Sequence, residues 1–224
     1  MLERQNTVAR TVLDHSECAS VFVRNRIDYC CQGDVSIETA CKKKGLDTEA
    51  LLGELERAIA ERRGGDDPDR RTMPTHELVG HIVSTHHDYL RKAMPFLQGL
   101  ASKVSRVHGE HNPKLRELEA IVHELVEALS PHLDAEESTL FPALLSPAPD
   151  RNLVTRELAE MFTEHREVGQ LLDRMRAATE DYSVPDWGCN SYRTLFKELE
   201  RLEDDVLRHV HLENHVLMPR FVAA

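Results

Sequence analysis

The sequence contains no long hydrophobic run. A membrane-spanning helix requires roughly 18 or more consecutive apolar residues, and no segment of the chain reaches that length. The first six residues, MLERQN, are polar and lack the apolar stretch of a secretory signal. We therefore expect neither a transmembrane helix nor a secretory leader, and we expect a cytoplasmic protein.

Cysteine is scarce, and its number is odd. An odd set does not make a complete disulfide framework of the kind found in small secreted proteins. No C-x2-C pair with a matching second pair is present, which argues against a structural zinc site. We expect free thiols in a reducing compartment. The five cysteines are Cys18, Cys30, Cys31, Cys41 and Cys189.

Positive charge is also in deficit. The chain has 28 Lys and Arg residues against 39 Asp and Glu residues, and its formal net charge is −11 at pH 7. Proteins that bind nucleic acids or anionic membrane surfaces usually carry the opposite balance. We therefore expect neither kind of partner.

Strand-like alternation of apolar and polar residues does not extend beyond a few positions, whereas helical periodicity is widespread. The sequence predicts an all-α protein with a small helical N-terminal domain at residues 1–62, which holds four of the cysteines. Its helices are expected at about 8–24, 36–44 and 48–62. A flexible linker is expected at 63–74, where two glycines occur among polar residues. An antiparallel four-helix bundle is expected at 75–224, with Thr75 as its N-cap.

One phrase occurs twice in the second half of the chain. The sequence H-x3-E-x3-L, followed by Phe or Met and then Pro, begins at His132 and again at His209. Residues four apart lie on one face of a helix, so each phrase directs an imidazole and a carboxylate to one point. In both cases the His and Glu fall within the apolar stripe that faces the core. Because a buried carboxylate requires compensation, Glu136 and Glu213 predict a metal site.

Two other helical segments offer further histidines. His165 falls in the apolar stripe of the segment that ends near residue 178. In the segment 75–107 the adjacent residues His86 and His87 lie about 20° and about 80° from the centre of the stripe, at 100° per residue. Periodicity alone therefore favours His86, although Pro95 can distort this helix. Four imidazoles and two carboxylates on four helices are typical of a non-haem di-iron bundle.

Three short motifs stand out in the N-terminal part: Asp28-Tyr29-Cys30-Cys31-Gln32-Gly33, Thr39-Ala40-Cys41 and Gly45-Leu46-Asp47. With these motifs, the N-terminal part resembles the small Cys-containing domain of repair-of-iron-centres proteins. The four-helix part resembles the haemerythrin-like domain that follows it in those proteins. The resemblance covers nearly the whole chain.

The resemblance implies a set of metal ligands. Its first bundle ligand is a His followed by an acidic residue, which is His87-Asp88 here, so we choose His87 over His86. The implied cofactor is a pair of non-haem irons with oxo and carboxylate bridges, the latter from both glutamates. The full set is His87, His132, Glu136, His165, His209 and Glu213. The family also has a His at the position of His108, but His87 and His108 are about 31 Å apart on a continuous helix, so we expect His108 at a helix end.

The resemblance also implies a function. It implies repair of iron–sulfur clusters damaged by nitrosative or oxidative stress, with iron as the donated species and damaged iron–sulfur proteins as acceptors. The alternatives are an enzyme that reduces nitric oxide to nitrous oxide and a module that binds or senses NO or O2. Cys30 and Cys31 are implied as accessory thiols. The basic residues that lie nearby in sequence, Arg24, Arg26 and Lys42 to Lys44, are expected to lower a thiol pKa. A homodimer is compatible with all of these hypotheses.

Overall fold

The computed structural model describes residues 2–61 and 69–222. Contacts divide the chain into two compact units, Met1–Met73 with Val210–Arg220, and Pro74–His209 with Phe221–Ala224. Within the described residues every regular element is helical, and a single isolated β-bridge joins Thr7 and Ser36. The predicted all-α fold is confirmed. Among these residues, no helix is both long enough and apolar enough to cross a membrane.

The first unit contains four short α-helices, α1 to α4. They are Val8–Asp14, Cys18–Arg24, Ile37–Lys44 and Thr48–Glu61. The single helix expected at 8–24 is wrong, because it breaks between α1 and α2. The Ser36 side chain accepts a hydrogen bond from the backbone N–H of Thr39 at the start of α3. Gly45 ends α3 with a φ of 69°, a left-handed conformation that costs glycine little.

The second unit begins with a helical segment that has three parts. They are α5 (Thr75–Ile82), a π-helical turn (Val83–His87) and α6 (Asp88–His108). The N-cap position belongs to Pro74, and Thr75 is the first helical residue, so Thr75 does not have the predicted role of N-cap.

Two of the other helical segments also contain a π-helical turn. α7 (Lys114–Ala135) continues through such a turn (Glu136–Leu140) into α8 (Phe141–Leu145). α9 is Arg151–Ala178. α10 (Asn190–Leu212) continues into a third π-helical turn (Glu213–Leu217). α7 packs against both α6 and α9.

Buried apolar side chains from these helices make the core of the bundle. Leu90 and Leu97 of α6, Leu118 and Leu125 of α7, and Leu172 of α9 are among the fully or nearly fully buried residues. With Met94 of α6 and Val122 of α7, which are also buried, they recur every three or four positions, which is the spacing of one helical face. The same faces carry the predicted metal ligands, so the packing that closes the core also brings those polar groups together.

The linker predicted at 63–74 lies partly outside the described residues. Its described part contains a short 3₁₀ helix, Arg70–Thr72, capped by the side chain of Asp69. The Arg71 guanidinium forms an ion pair of 2.6 Å with Asp14 of α1, within the first unit. The division into residues 1–62, 63–74 and 75–224 stays a prediction.

Candidate metal centre

The six residues predicted as metal ligands are all buried, and each is at most 2 % exposed. They form two groups in which the ligand atoms lie within 4.8 Å of one another. Both groups contain the two glutamates, and each adds two histidines. The first group is His87, Glu136, His209 and Glu213, and the second is His132, Glu136, His165 and Glu213.

Each π-helical turn has a candidate ligand at one end. The first turn ends at His87, and the other two begin at Glu136 and Glu213. A π-turn adds one residue to a helical turn, so the side chains that follow are rotated relative to a regular α-helix. This rotation explains why α-helical periodicity favoured His86. His87 lies within the first ligand group, whereas His86 does not.

Glu136 faces histidines of both groups. Its Oε2 lies 3.4 Å from Nε2 of His87 and 3.9 Å from Nε2 of His209. Its Oε1 lies 3.5 Å from Nε2 of His132. Each oxygen of one carboxylate is therefore directed toward a different ligand group, which is the arrangement of a carboxylate that bridges two metal ions.

The imidazole nitrogens have the spacing of metal ligands. Nε2 of His87 lies 3.2 Å from Nε2 of His209, and Nε2 of His165 lies 3.2 Å from Nε2 of His132. Two nitrogens bound at about 2.1 Å to one metal ion are roughly 3.0 to 3.4 Å apart for bond angles from 90° to tetrahedral. The donor set of imidazole and carboxylate suits iron, among other transition metals. The residues present fit a two-metal centre.

Two further carboxylates hold the candidate ligands in place. The Nδ1–H of His87 donates to Oε1 of Glu137 at 2.9 Å, and that of His132 donates to Oε2 of Glu164 at 2.7 Å. Because Nδ1 carries the proton, the Nε2 lone pair of each ring is available to a metal. Sequence reasoning missed Glu137 and Glu164. Each is an acidic residue next to a predicted ligand in sequence, but the histidine it contacts is on another helix.

His86 is buried beside the centre. Its Nδ1 lies 3.0 Å from Oδ1 of Asp205, and its ring stacks on that of His209 with centroids 5.7 Å apart and an interplanar angle of 12°. His86 therefore supports the orientation of a candidate ligand. Its own nitrogens do not belong to either ligand group.

His108 lies at the end of α6, as predicted. Its Nε2 is 3.2 Å from the sulfur of Cys189, which is exposed. The ring of His108 also contacts the rings of Trp187 and Tyr192. His108 takes part in this polar and aromatic cluster and belongs to neither ligand group.

Residues 78–221 match the family model described as the hemerythrin HHE cation binding domain. Residues 4–59 match a model described as a domain of unknown function (DUF542). The iron-sulfur cluster repair protein ScdA of Staphylococcus haemolyticus is 31 % identical over 99 % of this chain and 100 % of its own length. The iron-sulfur cluster repair protein YtfE of Yersinia pestis is 30 % identical over 97 % of this chain and 96 % of its own length.

The chain belongs to the ScdA/YtfE family. Its HHE domain contains all six residues of the candidate metal centre. The match with the second model, DUF542, covers the motifs around Cys30 and Cys41 that carried the N-terminal resemblance. Both resemblances are confirmed.

The N-terminal unit of this ScdA/YtfE family member contains a third potential ligand group, Asp28, Cys30 and Cys31. The sulfur atoms of Cys30 and Cys31 are 3.5 Å apart, and that of Cys30 is 3.1 Å from Oδ1 of Asp28. The same carboxylate oxygen accepts the backbone N–H groups of both cysteines, at 2.9 Å each. These contacts with the Asp28 side chain therefore fix the conformation of the cysteine loop.

The expected lowering of a thiol pKa is wrong for Cys30. A hydrogen bond with Cys31, burial of the sulfur and the negative charge of Asp28 raise the pKa of Cys30 well above its ordinary value. The basic residues Arg24 and Arg26 do not outweigh these effects. Cys30 is therefore a protonated thiol near neutral pH.

Residues of the segment Val210–Arg220, which belongs to the same unit, form hydrogen bonds with this cysteine loop. The Nδ1–H of His211 donates to the carbonyl oxygen of Tyr29 at 3.2 Å, and Asn214 and His215 donate to the carbonyl oxygen of Cys30 at 3.1 and 2.8 Å. Burial lowers the pKa of His211 to about 3, so its imidazole is neutral.

Gly33 closes the cysteine loop at a point of close backbone approach. A Cβ atom at this position would collide with the carbonyl oxygen of Tyr29 and lie 2.6 Å from Cβ of Ala9. The carbonyl oxygen of Gly33 accepts the backbone N–H of Ala9 at 2.8 Å. A glycine is therefore required here for steric reasons.

Proposed function

We propose that the bundle binds two non-haem iron ions and that the protein repairs iron–sulfur clusters damaged by nitrosative or oxidative stress by donating iron. The observation that carries the proposal is Glu136, whose two oxygens are directed toward histidines of different ligand groups. The full-length relatives named iron-sulfur cluster repair proteins support the biological role.

When bound, the two irons supply a centre that cycles between diferrous and diferric states and takes small ligands such as O2 or NO. The chain would hold them with four imidazoles and two carboxylates, and Glu136 and Glu213, which belong to both ligand groups, would be shared by the two irons. Because the ligands are buried, the protein excludes bulk water from the site. Bridging by two residues implies that loss of either glutamate loosens both irons together.

The first experiment measures metal content by mass spectrometry on protein from iron-replete cells. We expect about two irons per chain in the natural protein, and near-ultraviolet absorption that disappears with the metal. Glu136→Leu and Glu213→Leu are each expected to lose both irons. Glu124→Gln, which changes an exposed carboxylate paired with Arg174, is the matched control. Zinc in the natural protein, or two irons retained in both variants, would contradict the di-iron assignment.

The second experiment tests donation. Iron-loaded protein is mixed with a four-iron four-sulfur dehydratase that nitric oxide has inactivated, and both the dehydratase activity and the iron lost from the bundle are followed. We expect reactivation in step with iron loss, and none from metal-free protein. Steady nitrous oxide formation without reactivation would instead indicate the nitric-oxide-reducing enzyme. Reversible binding of NO or O2 without either reaction would indicate a sensing or carrier module.

We also propose that Cys30 and Cys31, with Asp28, receive iron in transit to the acceptor. The sulfur atoms lie close enough to share one ion, and ion binding would displace the proton that the surroundings of Cys30 hold on its thiol. Cys30→Ser/Cys31→Ser is expected to keep about two irons in the bundle and to slow transfer. Cys189→Ser, at an exposed thiol of the second unit, is the control. Unchanged transfer in the double variant would contradict the role of the pair.

Among the described residues the five cysteines form no disulfide bond, which supports our placement of the protein in the cytoplasm, where thiols stay reduced. The partners that we propose are damaged iron–sulfur proteins as iron acceptors and NO or O2 as small ligands. A homodimer stays a prediction.

A further inference from the structure

Glu137 and Glu164 contact their histidines in different electrostatic surroundings. Both glutamates accept an Nδ1–H, Glu137 from His87 and Glu164 from His132. His87 belongs to the first ligand group and His132 to the second. Each ligand group therefore includes an imidazole that is supported by a carboxylate, and a difference between the two carboxylates would affect two different metal positions.

Glu137 shares its negative charge with a cation. The Arg91 guanidinium donates to Oε1 of Glu137 at 3.0 Å, which is the same oxygen that accepts the Nδ1–H of His87. Arg91 is held there by a second acceptor, Oδ1 of Asp134, at 2.7 Å.

Glu164 interacts with imidazoles. Among the described residues, Glu164 forms an ion pair with His132 and none with a Lys or Arg. Its contact with His132, at 2.7 Å, is also shorter than the 2.9 Å between Glu137 and His87. The carboxylate behind His132 therefore keeps more of its charge for the ring.

The charge on such a carboxylate affects metal binding through the imidazole. A carboxylate that accepts the Nδ1–H makes the ring more basic, and the Nε2 lone pair then binds the metal more strongly. A guanidinium on the same oxygen draws the charge away and weakens that effect. The same type of ligand thus has different strengths in the two groups.

We infer that the metal ion bound by His87 and His209 is held more weakly than the one bound by His132 and His165, and that it is the first to be released. This inference rests on the proposed di-iron centre and identifies the iron that the chain donates. Arg91 is then a positioning residue that sets the lability of one iron, and Glu164 is the residue that retains the other.

Iron release to a chelator tests the inference. The iron-loaded full-length chain, with its iron content measured beforehand, is mixed with an excess of a ferrous chelator under anaerobic reducing conditions. We expect two phases of equal amplitude. Glu164→Gln is expected to accelerate the slow phase by roughly 10- to 100-fold, the usual effect of losing such a carboxylate. Arg91→Met is expected to slow the fast phase, and Arg91→Lys, which keeps the cation, to leave it near the natural rate.

Glu137→Gln gives the matched comparison with Glu164→Gln, since it removes the other supporting carboxylate and should accelerate only the fast phase. Arg174→Met, at an exposed ion pair with Glu124, controls for loss of a surface arginine. Circular dichroism and urea unfolding establish that each variant is folded.

Several results would overturn the inference. They are a single phase for both irons in the natural protein, acceleration of the fast phase by Glu164→Gln, and an effect of Arg91→Met on the slow phase. Two irons that leave in the expected order but do not reactivate a damaged cluster would contradict donation and support the inference. Fewer than two irons before chelation would contradict the di-iron centre and the inference together.

Discussion

Glu203 and Glu136 are both buried glutamates of the helical bundle, 5 % and 2 % exposed, but their partners differ. Glu203 of α10 pairs with the Arg176 guanidinium of α9, whose Nε and Nη2 each contact one of its oxygens. Glu136 faces imidazoles of three histidines. A guanidinium brings a permanent positive charge, whereas a neutral imidazole does not.

This difference separates a structural carboxylate from a candidate metal ligand. Burial raises the pKa of Glu203, and the charge and hydrogen bonds of Arg176 act against that rise. The Arg176 guanidinium also lies over the ring of Tyr182, 5.1 Å from its centroid. The buried pair is thus complete in itself. The imidazoles around Glu136 offer nitrogen lone pairs instead of a positive charge. A metal cation would bind these lone pairs and balance the charge of the carboxylate.

The largest expected effect on stability comes from removing the cation next to Glu203. Arg176→Met leaves a carboxylate buried without its partner, and we expect the free energy of unfolding to fall by on the order of 3–5 kcal/mol. Urea denaturation measures this loss. Iron content should stay at the natural level because Arg176 belongs to neither ligand group. Loss of iron in a folded Arg176→Met protein would show that the two carboxylate sites are coupled.

The next effect is the loss of stabilisation by iron. When free ferrous iron is about 100-fold above its dissociation constant, binding stabilises the folded state by about 2.7 kcal/mol for one site. We expect Glu136→Leu to abolish this iron-dependent increase in unfolding free energy. The measurement is urea denaturation with and without ferrous iron under anaerobic conditions. An iron-dependent increase of natural size in Glu136→Leu would contradict the bridging role.

A smaller effect is expected when both members of the structural pair are replaced by apolar residues. Arg176→Met/Glu203→Leu leaves no buried charge, and replacement of a buried ion pair in this way is often neutral or stabilising. We expect the unfolding free energy to stay within about 1 kcal/mol of the natural value, because the net contribution of one hydrogen bond is of that size. The decisive comparison is with Arg176→Met, whose unfolding free energy should be clearly lower than that of the double variant. A double variant as unstable as Arg176→Met would mean that packing, not charge, causes the loss.

How far the sequence predicts the fold and the site depends on what each residue contacts. The repeated phrase predicted His132, Glu136, His209 and Glu213 because the spacing within one helix determines which side chains share a face. The choice between His86 and His87 needed the resemblance, since the π-turn at Val83–His87 changes the register that periodicity assumes.

Contacts between helices were beyond the sequence. Arg176 and Glu203 lie on different helices, as do His132 and Glu164. Which positions of two helices lie opposite each other depends on their packing, and no pattern along one helix gives it. The break between α1 and α2 was also missed, because both halves retain apolar residues at helical spacing. The structure therefore adds chiefly the partners that tune the candidate ligands.

The smallest effect on stability is expected at an exposed ion pair. Its carboxylate, that of Glu124, is the exposed counterpart of the buried Glu203 and Glu136. Arg174 and Glu124 contact each other at 2.5 Å, but both side chains are nearly half exposed. Water and salt already stabilise these charges, so the pair adds little to stability. We expect Arg174→Met to leave the urea midpoint unchanged within error and the iron content unchanged. A clear loss of stability would mean that the close contact of a carboxylate with an arginine matters at the surface as well, and that burial is not what distinguishes Glu203 and Arg176.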